Sequence, residues 1–84
     1  MSKAQQVKIN IILSEKLSNY LIAKPDVLKK FSGYSYVIFS HTNQELNKLN
    51  YQLVDELIDE GKNVVKAEET GNLKQPWSFT PVYN

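Results

Sequence analysis

A run of β-branched and aromatic residues, Tyr34–Phe39, interrupted only by Ser35, lies near the middle of this chain of 84 residues. Successive side chains of a strand point to opposite faces of a sheet. Tyr36 and Ile38 make one face of the run apolar. Val37 and Phe39 do the same for the other face. Strands that are buried on both faces have this pattern and are typical of parallel sheets, so the run predicts a strand of that kind.

A helix and a second strand are predicted directly after this run. Thr42 followed by Glu45 three residues later is the pattern of a capping box, which starts a helix. The helical spacing then places one apolar stripe on the core side: Leu46, Leu49, Leu53, Leu57 and Ile58. Gly61 ends the helix, and Val64–Ala67 begins a second short strand. A strand, a helix and a strand with short links predict a β-α-β unit with parallel strands.

The chain before the first strand is predicted to be helical. Ile9, Leu13, Leu17 and Leu21 recur at every fourth position, and Ile12 and Tyr20 widen this apolar face. Pro25 suits the first turn of a new short helix, and Gly33 suits the left-handed conformation after its end. Residues 1–6 are polar and are expected to fray, so the predicted helices occupy residues 7–31.

The C-terminal part is predicted to be a polar loop followed by an extended tail. Residues 68–75 are polar and contain Gly71, and the segment Pro76–Asn84 is bounded by prolines. Trp77, Phe79 and Tyr83 give one side of this tail an aromatic character. A tail this apolar either packs on its own sheet or docks on a second copy of the chain. We therefore treat these three aromatic residues as interface candidates.

Together these patterns predict one α/β domain that spans residues 1–84. N-terminal helices pack on a small, mainly parallel sheet, which is built on the single β-α-β unit of residues 34–67 and followed by the extended tail. A chain this short buries a small core, and such domains gain stability from disulfides, metals or self-association. The chain has no cysteine and one histidine, so no disulfide, metal or cofactor is predicted. Self-association remains, and a homo-oligomer or a small protein partner is expected.

The charge distribution argues against a nucleic-acid partner. The net charge is +1, and all ten basic residues are lysines. Arginine is the usual reader of guanine edges, so its absence disfavours sequence-specific recognition. Residues 1–33 carry six lysines and two acidic residues, whereas residues 34–84 carry four lysines and seven acidic residues. Opposite charges on the two halves favour contacts between copies or with a protein partner.

The turn Ser40–Asn43 is the candidate ligand site. Ser40, His41, Thr42 and Asn43 follow the first strand at its carboxyl end, which is where open α/β sheets bind ligands. Backbone amides at the start of the following helix are able to hold an anion or a nucleotide phosphate. Ser40 and His41 are neighbours on an extended chain and point apart, and no nucleophile elbow is present, so an enzyme is not predicted.

A DNA-binding regulator is an alternative prediction. The segment Val7–Ile11 alternates between apolar and polar residues, and Leu13–Leu17 opens a helical pattern. This order is similar to the first half of a ribbon-helix-helix domain, whose paired strands enter the major groove. Lys3 and Lys8 would then contact phosphate groups. The early strand at Tyr34 and the short helix after Pro25 argue against that fold.

Several segments together resemble a small prokaryotic family of domains of unknown function. The segments are Asn10–Ser14, Tyr20–Leu21, Lys24–Leu28, Phe31–Gly33, Val37–Phe39 and Glu60–Val65. With the residues that flank them, the resemblance covers residues 8 to 66. The family places a Pro-Asp-Gly-like turn before its strand, and here the turn lacks the proline. The resemblance implies N-terminal helices followed by a β-α-β unit and supplies no catalytic residue.

The sequence thus favours a non-enzymatic protein-binding or regulatory module that self-associates. No apolar run approaches the roughly 18 residues that a membrane span needs, so no membrane partner is predicted. A cytoplasmic location is the expectation. The anion or nucleotide binder and the DNA-binding regulator remain the two alternatives.

Overall fold

Three helices and three strands make up the chain in the computed structural model, which describes residues 1–82. In chain order they are α1 (Lys3–Ala23), α2 (Pro25–Lys30), β1 (Ser35–Phe39), α3 (Gln44–Asp59), β2 (Val64–Glu69) and β3 (Trp77–Val82). The strands form one sheet in the order β1-β2-β3. The predicted α/β class, with N-terminal helices and a β-α-β unit, is confirmed.

The sheet is mixed because the C-terminal tail adds a strand of its own. β1 and β2 are parallel, with Ser35 beside Val64 at one end and Phe39 beside Glu68 at the other. β3 is antiparallel to β2, and its first residue Trp77 lies beside Glu69. The described part of the tail therefore packs on its own sheet, which is one of the two predicted alternatives. β2 also continues two residues further than Val64–Ala67, so the loop before β3 is shorter than predicted.

The two helical layers pack on opposite faces of the sheet. On the α1 side, three leucines of α1 join a core that includes Ile38, Ala67 and Trp77. On the α3 side, Val54 packs with the other set of strand residues, which are Val37, Phe39 and Val64. The alternation within β1 thus places its residues in two separate clusters, as the apolar run predicts.

The predicted fraying of residues 1–6 is wrong, because α1 begins at Lys3. The Ser2 hydroxyl accepts a hydrogen bond from the Gln5 backbone N–H at 3.1 Å. The Gln5 side chain in turn accepts one from the Ser2 N–H at 2.9 Å, which completes a capping box. The segment Val7–Ile11 lies inside this helix, so the strand that a ribbon-helix-helix fold needs does not form.

The predicted apolar face of α1 is correct for its leucines and wrong for Ile12. Leu13, Leu17 and Leu21 are buried, and Tyr20 is half-buried. Ile12 is 48% exposed, because adjacent positions of a helix point about 100° apart. The short helix at Pro25 is confirmed, with the proline in its first turn.

Candidate functional site

The predicted ligand turn at the carboxyl end of β1 is held by its own side chains. The Ser40 hydroxyl accepts hydrogen bonds from the backbone N–H groups of Thr42 and Asn43, at 3.2 and 3.1 Å. The Asn43 side chain accepts one from the Leu46 N–H at 3.0 Å, so Asn43 is the N-cap of α3. The predicted capping box of Thr42 and Glu45 is therefore wrong by one residue. The Glu45 carboxylate instead pairs with the N-terminal ammonium group of Met1.

The exposed His41 joins this turn to the loop between β2 and β3. Its backbone N–H donates to a Glu69 carboxylate oxygen at 3.1 Å. Its ring lies against Gly71, where a Cβ atom would come within 2.5 Å of the imidazole Nε2. Gly71 also has a φ of +76°, which favours glycine, so the loop conformation depends on this residue. A shallow cleft of about 400 Å³ lies here, between Lys16, His41, Thr42, Glu69 and the loop.

The arrangement of this turn gives little support to an anion site. Three of the amides that an anion would use already donate to Ser40 and Asn43. The Glu69 carboxylate beside His41 adds negative charge where a phosphate would have to bind. The site at Ser40–Asn43 stays a prediction, and the helix start is explained by capping alone.

A network of side-chain amides covers the outer edge of β1. The Asn47 side chain both donates to the Ser40 carbonyl, at 2.9 Å, and accepts from the Ser40 N–H, at 2.7 Å. The Asn50 amide donates to the Ile38 carbonyl at 2.8 Å. Asn50 is 1% exposed and also exchanges hydrogen bonds with Asn10 of α1. These amides occupy backbone groups that a neighbouring strand would otherwise pair with.

Asn50 is not among the predicted site residues, although its position in the sequence indicates that it is buried. Asn50 lies midway between Leu46 and Val54 at a spacing of four, which places it on the buried stripe of α3. A polar residue at such a position needs partners inside the protein. The partners come from β1 and α1, which are far away in the sequence.

The aromatic tail residues that the structure describes lie in the protein's own core. Trp77 is 4% exposed and belongs to the cluster under α1. The half-buried Phe79 ring lies 6.0–6.2 Å, between ring centroids, from the rings of Tyr20, Phe31 and Tyr36. This packing accounts for both side chains without a partner. Tyr83, the third interface candidate, lies outside the described residues.

The side of α1 that faces away from the sheet is exposed and carries isoleucines. We call this side the outer stripe, and its members are Ala4, Lys8, Ile11, Ile12, Glu15, Asn19 and Ile22. Ile11 is 56% exposed and Ile22 is 76% exposed. These isoleucines are not in the predicted interface set, which consists of Trp77, Phe79 and Tyr83.

Two groups near the sheet have shifted proton affinities. The Lys66 ammonium group donates to the Tyr51 hydroxyl at 3.1 Å and lies 3.2 Å from a Glu68 carboxylate oxygen. Burial opposes its charge, but these two partners outweigh burial and raise the pKa of Lys66. Burial alone raises the pKa of Tyr36, whose hydroxyl has no hydrogen-bond partner among residues 1–82.

Two kinds of site are missing from the described part of the chain. Within residues 1–82, no three side chains of the metal-ligating types (His, Cys, Asp or Glu) come together. None of the helices in this range has the length and apolar character to cross a membrane.

Comparisons with protein-family models, with curated proteins and with solved structures each found no match to this chain. The resemblance to a prokaryotic family of unknown function therefore stays a prediction.

Proposed function

We propose that this protein is a binding module that assembles with a second copy of itself through the outer stripe of α1. The observation that carries the proposal is the exposure of three isoleucines, Ile11, Ile12 and Ile22, on one side of a single helix. Scattered apolar residues are ordinary on protein surfaces, whereas apolar residues gathered on one element mark interaction sites.

The amount of exposed surface supports an additional contact. The folded chain exposes 5776 Å², whereas a folded monomer of this size is expected to expose about 5,100 Å². A small domain with excess surface gains stability by burying some of it against another chain. Burial of one isoleucine side chain contributes about 2 kcal/mol, so the three isoleucines are sufficient to matter for assembly.

A second copy fits this face better than a polyanion does. The outer stripe contains one lysine and one glutamate and is therefore neutral. Nucleic acids and anionic membranes require a concentration of basic residues, since phosphate contacts dominate their binding. A neutral apolar face with one charge of each sign is suited to another protein surface of the same kind.

The proposal is tested by measuring the solution mass of the full chain by light scattering and sedimentation. We expect a monomer–dimer equilibrium that shifts to dimer as concentration rises. Ile11→Glu places a charge in the centre of the outer stripe and is expected to leave a folded monomer. Leu28→Glu is the matched control: Leu28 is 44% exposed but lies on α2, so its variant should still dimerise.

Two outcomes would overturn the proposal. One is a full-length chain that stays monomeric up to near-millimolar concentration. The other is a dimer that Ile11→Glu and Leu28→Glu affect equally. Circular dichroism of each variant establishes that the helices remain folded, so that loss of assembly is not confused with unfolding.

A further inference from the structure

We infer that the two α1 helices pair antiparallel about a two-fold axis that crosses each helix between Ile11 and Ile12, with Lys8 opposite the partner's Glu15. This inference rests on the self-association proposed above and gives that interface an orientation and a register. It follows from the order of residues along the outer stripe.

The geometry of the helix places the outer stripe on one side. An α-helix turns about 100° per residue, so residues 4, 8, 11, 12, 15, 19 and 22 project within an arc of about 100°. The buried residues Leu13, Leu17 and Leu21 project in the opposite direction, toward the sheet. All seven positions of the outer stripe are exposed in the structure. A second helix is therefore able to lie along them without displacing the core.

When two copies of the outer stripe run in opposite directions, isoleucine faces isoleucine and lysine faces glutamate. In an antiparallel pair with this axis, Ile11 faces the partner's Ile12 at the centre. One turn outward on each side, Lys8 faces the partner's Glu15. Further out, Ala4 faces the partner's Asn19, and Ile22 lies beside the start of the partner helix, which begins at Lys3. Each contact occurs twice, because a two-fold interface uses the same surface of both copies.

The charges select this orientation over a parallel one. In a parallel, in-register pair, Lys8 would face the partner's Lys8, and Glu15 would face the partner's Glu15. Like charges at facing positions destabilise helix pairs, whereas opposite charges set partner orientation. Within residues 1–82 the ion pairs are Met1 with Glu45 and Lys66 with Glu68. Lys8 and Glu15 are therefore not engaged in ion pairs within the described part of their own chain.

Charge reversal tests the register. Lys8→Glu alone and Glu15→Lys alone each turn two attractive pairs into two repulsive ones, so we expect each to raise the dimer dissociation constant about tenfold. A one-to-one mixture of the two variants restores both pairs in a heterodimer and should assemble as the unmodified chain does. Lys29→Glu, which changes a lysine of α2, is the matched control and should leave the dissociation constant unchanged.

Cysteine cross-linking tests the orientation independently, and the chain has no cysteine of its own. Ala4→Cys and Asn19→Cys chains, mixed and oxidised, should form mainly the mixed disulfide if the helices are antiparallel. Disulfides between identical chains in the same mixture would overturn the inference. Single reversals that have no effect on assembly would overturn it as well.

The outcomes separate the inference from the proposed function. A monomeric full-length chain removes both. A dimer that Ile11→Glu dissociates, but that gives disulfides between identical chains, retains self-association through α1 and removes only the antiparallel register.

Discussion

The two long helices cover opposite faces of one sheet, and their outward sides differ in chemistry. The exposed positions of α3 are polar or charged apart from Tyr51: Gln44, Glu45, Lys48, Gln52, Asp55, Glu56 and Asp59. The exposed side of α1 carries isoleucines instead. A helix with one apolar side buries that side against one neighbouring layer, whereas a helix that is apolar on both sides is typical of a buried position. By this criterion α3 is an ordinary surface helix, whereas α1 exposes isoleucines on the side that the proposed dimer would cover.

The inner sides of the two helices also differ. α1 presents three buried leucines to the sheet, Leu13, Leu17 and Leu21. α3 presents Leu46 and Val54 with Asn50 between them. Apolar packing depends little on the relative orientation of the side chains, whereas a buried amide requires hydrogen-bond partners at fixed positions. α1 thus contacts the sheet mainly by apolar packing, whereas α3 adds the directional hydrogen bond of Asn50 to the apolar packing of Val54.

The largest effect is expected from the inner side of α1. Leu17→Ala should lower the free energy of unfolding by about 2–5 kcal/mol, because it removes a fully packed side chain and leaves a cavity. Leu17 is 4% exposed. Leu73→Ala is the matched control, since Leu73 is 98% exposed and its loss should change stability by less than about 0.5 kcal/mol. Urea unfolding of both variants at low protein concentration measures the difference. Similar losses of stability in the two variants would contradict the assignment of Leu17 to the core.

The sequence predicts the inner side of α1 and the β-α-β unit because local periodicity determines both. The leucine spacing of four defines a helix face, and the apolar run of β1 defines a strand that is buried on both faces. Gly33 and Gly61 mark helix ends, and both adopt positive φ angles. The same periodicity places Ile12 about 100° from Leu13 and outside this face, so the inclusion of Ile12 in the predicted apolar face is wrong.

The remaining features depend on contacts that no single local sequence pattern specifies. The antiparallel pairing of β3 with β2 joins two segments across a loop, and no local pattern specifies that edge. Asn50 finds its partners Ile38 and Asn10 on β1 and α1. The N-cap of α3 is Asn43, which accepts a hydrogen bond from the Leu46 N–H, and the capping pattern alone does not show that it replaces Thr42 in this role. For the candidate site, the sequence therefore located the turn but not its hydrogen bonds.

A smaller effect is expected where α3 joins α1. Asn50→Ala leaves the Ile38 carbonyl without its amide donor and should lower the free energy of unfolding by about 1–3 kcal/mol. Gln52→Ala, on the exposed side of the same helix, is the matched control and should have little effect. In a double-mutant cycle, Asn50→Ala and Asn10→Ala together should lower the free energy of unfolding by less than the sum of the two single effects. Additive effects would mean that the amide contact does not couple the two helices.

The smallest effect on stability is expected for the Lys66 ammonium group, which is held by Tyr51 of α3 and by Glu68. This effect is measured at high pH. The raised pKa of Lys66 means that the folded chain retains this proton more tightly than the unfolded chain. The stabilisation is complete below the unfolded pKa of about 10.4, and it is lost as the pH rises through the folded value. Urea unfolding from pH 8 to 12 should therefore show the stability difference between the unmodified chain and Lys66→Met shrinking at alkaline pH. The raised pKa of Tyr36 also lowers stability at alkaline pH, but in both proteins, so its contribution cancels in this difference.

Tyr51→Phe refines the same measurement, because it removes one of the two partners and leaves the aromatic ring under Lys66. The ring centroid lies 5.0 Å from the ammonium nitrogen, so a cation–π contact remains in this variant. We expect the alkaline loss in Tyr51→Phe to be smaller than in the unmodified chain, since the hydroxyl no longer raises the pKa. A stability difference between the unmodified chain and Lys66→Met that is constant from pH 8 to 12 would mean that Lys66 is held only by the packing of its aliphatic stem. α3 would then contribute a polar contact to the sheet through Asn50 but not through Tyr51.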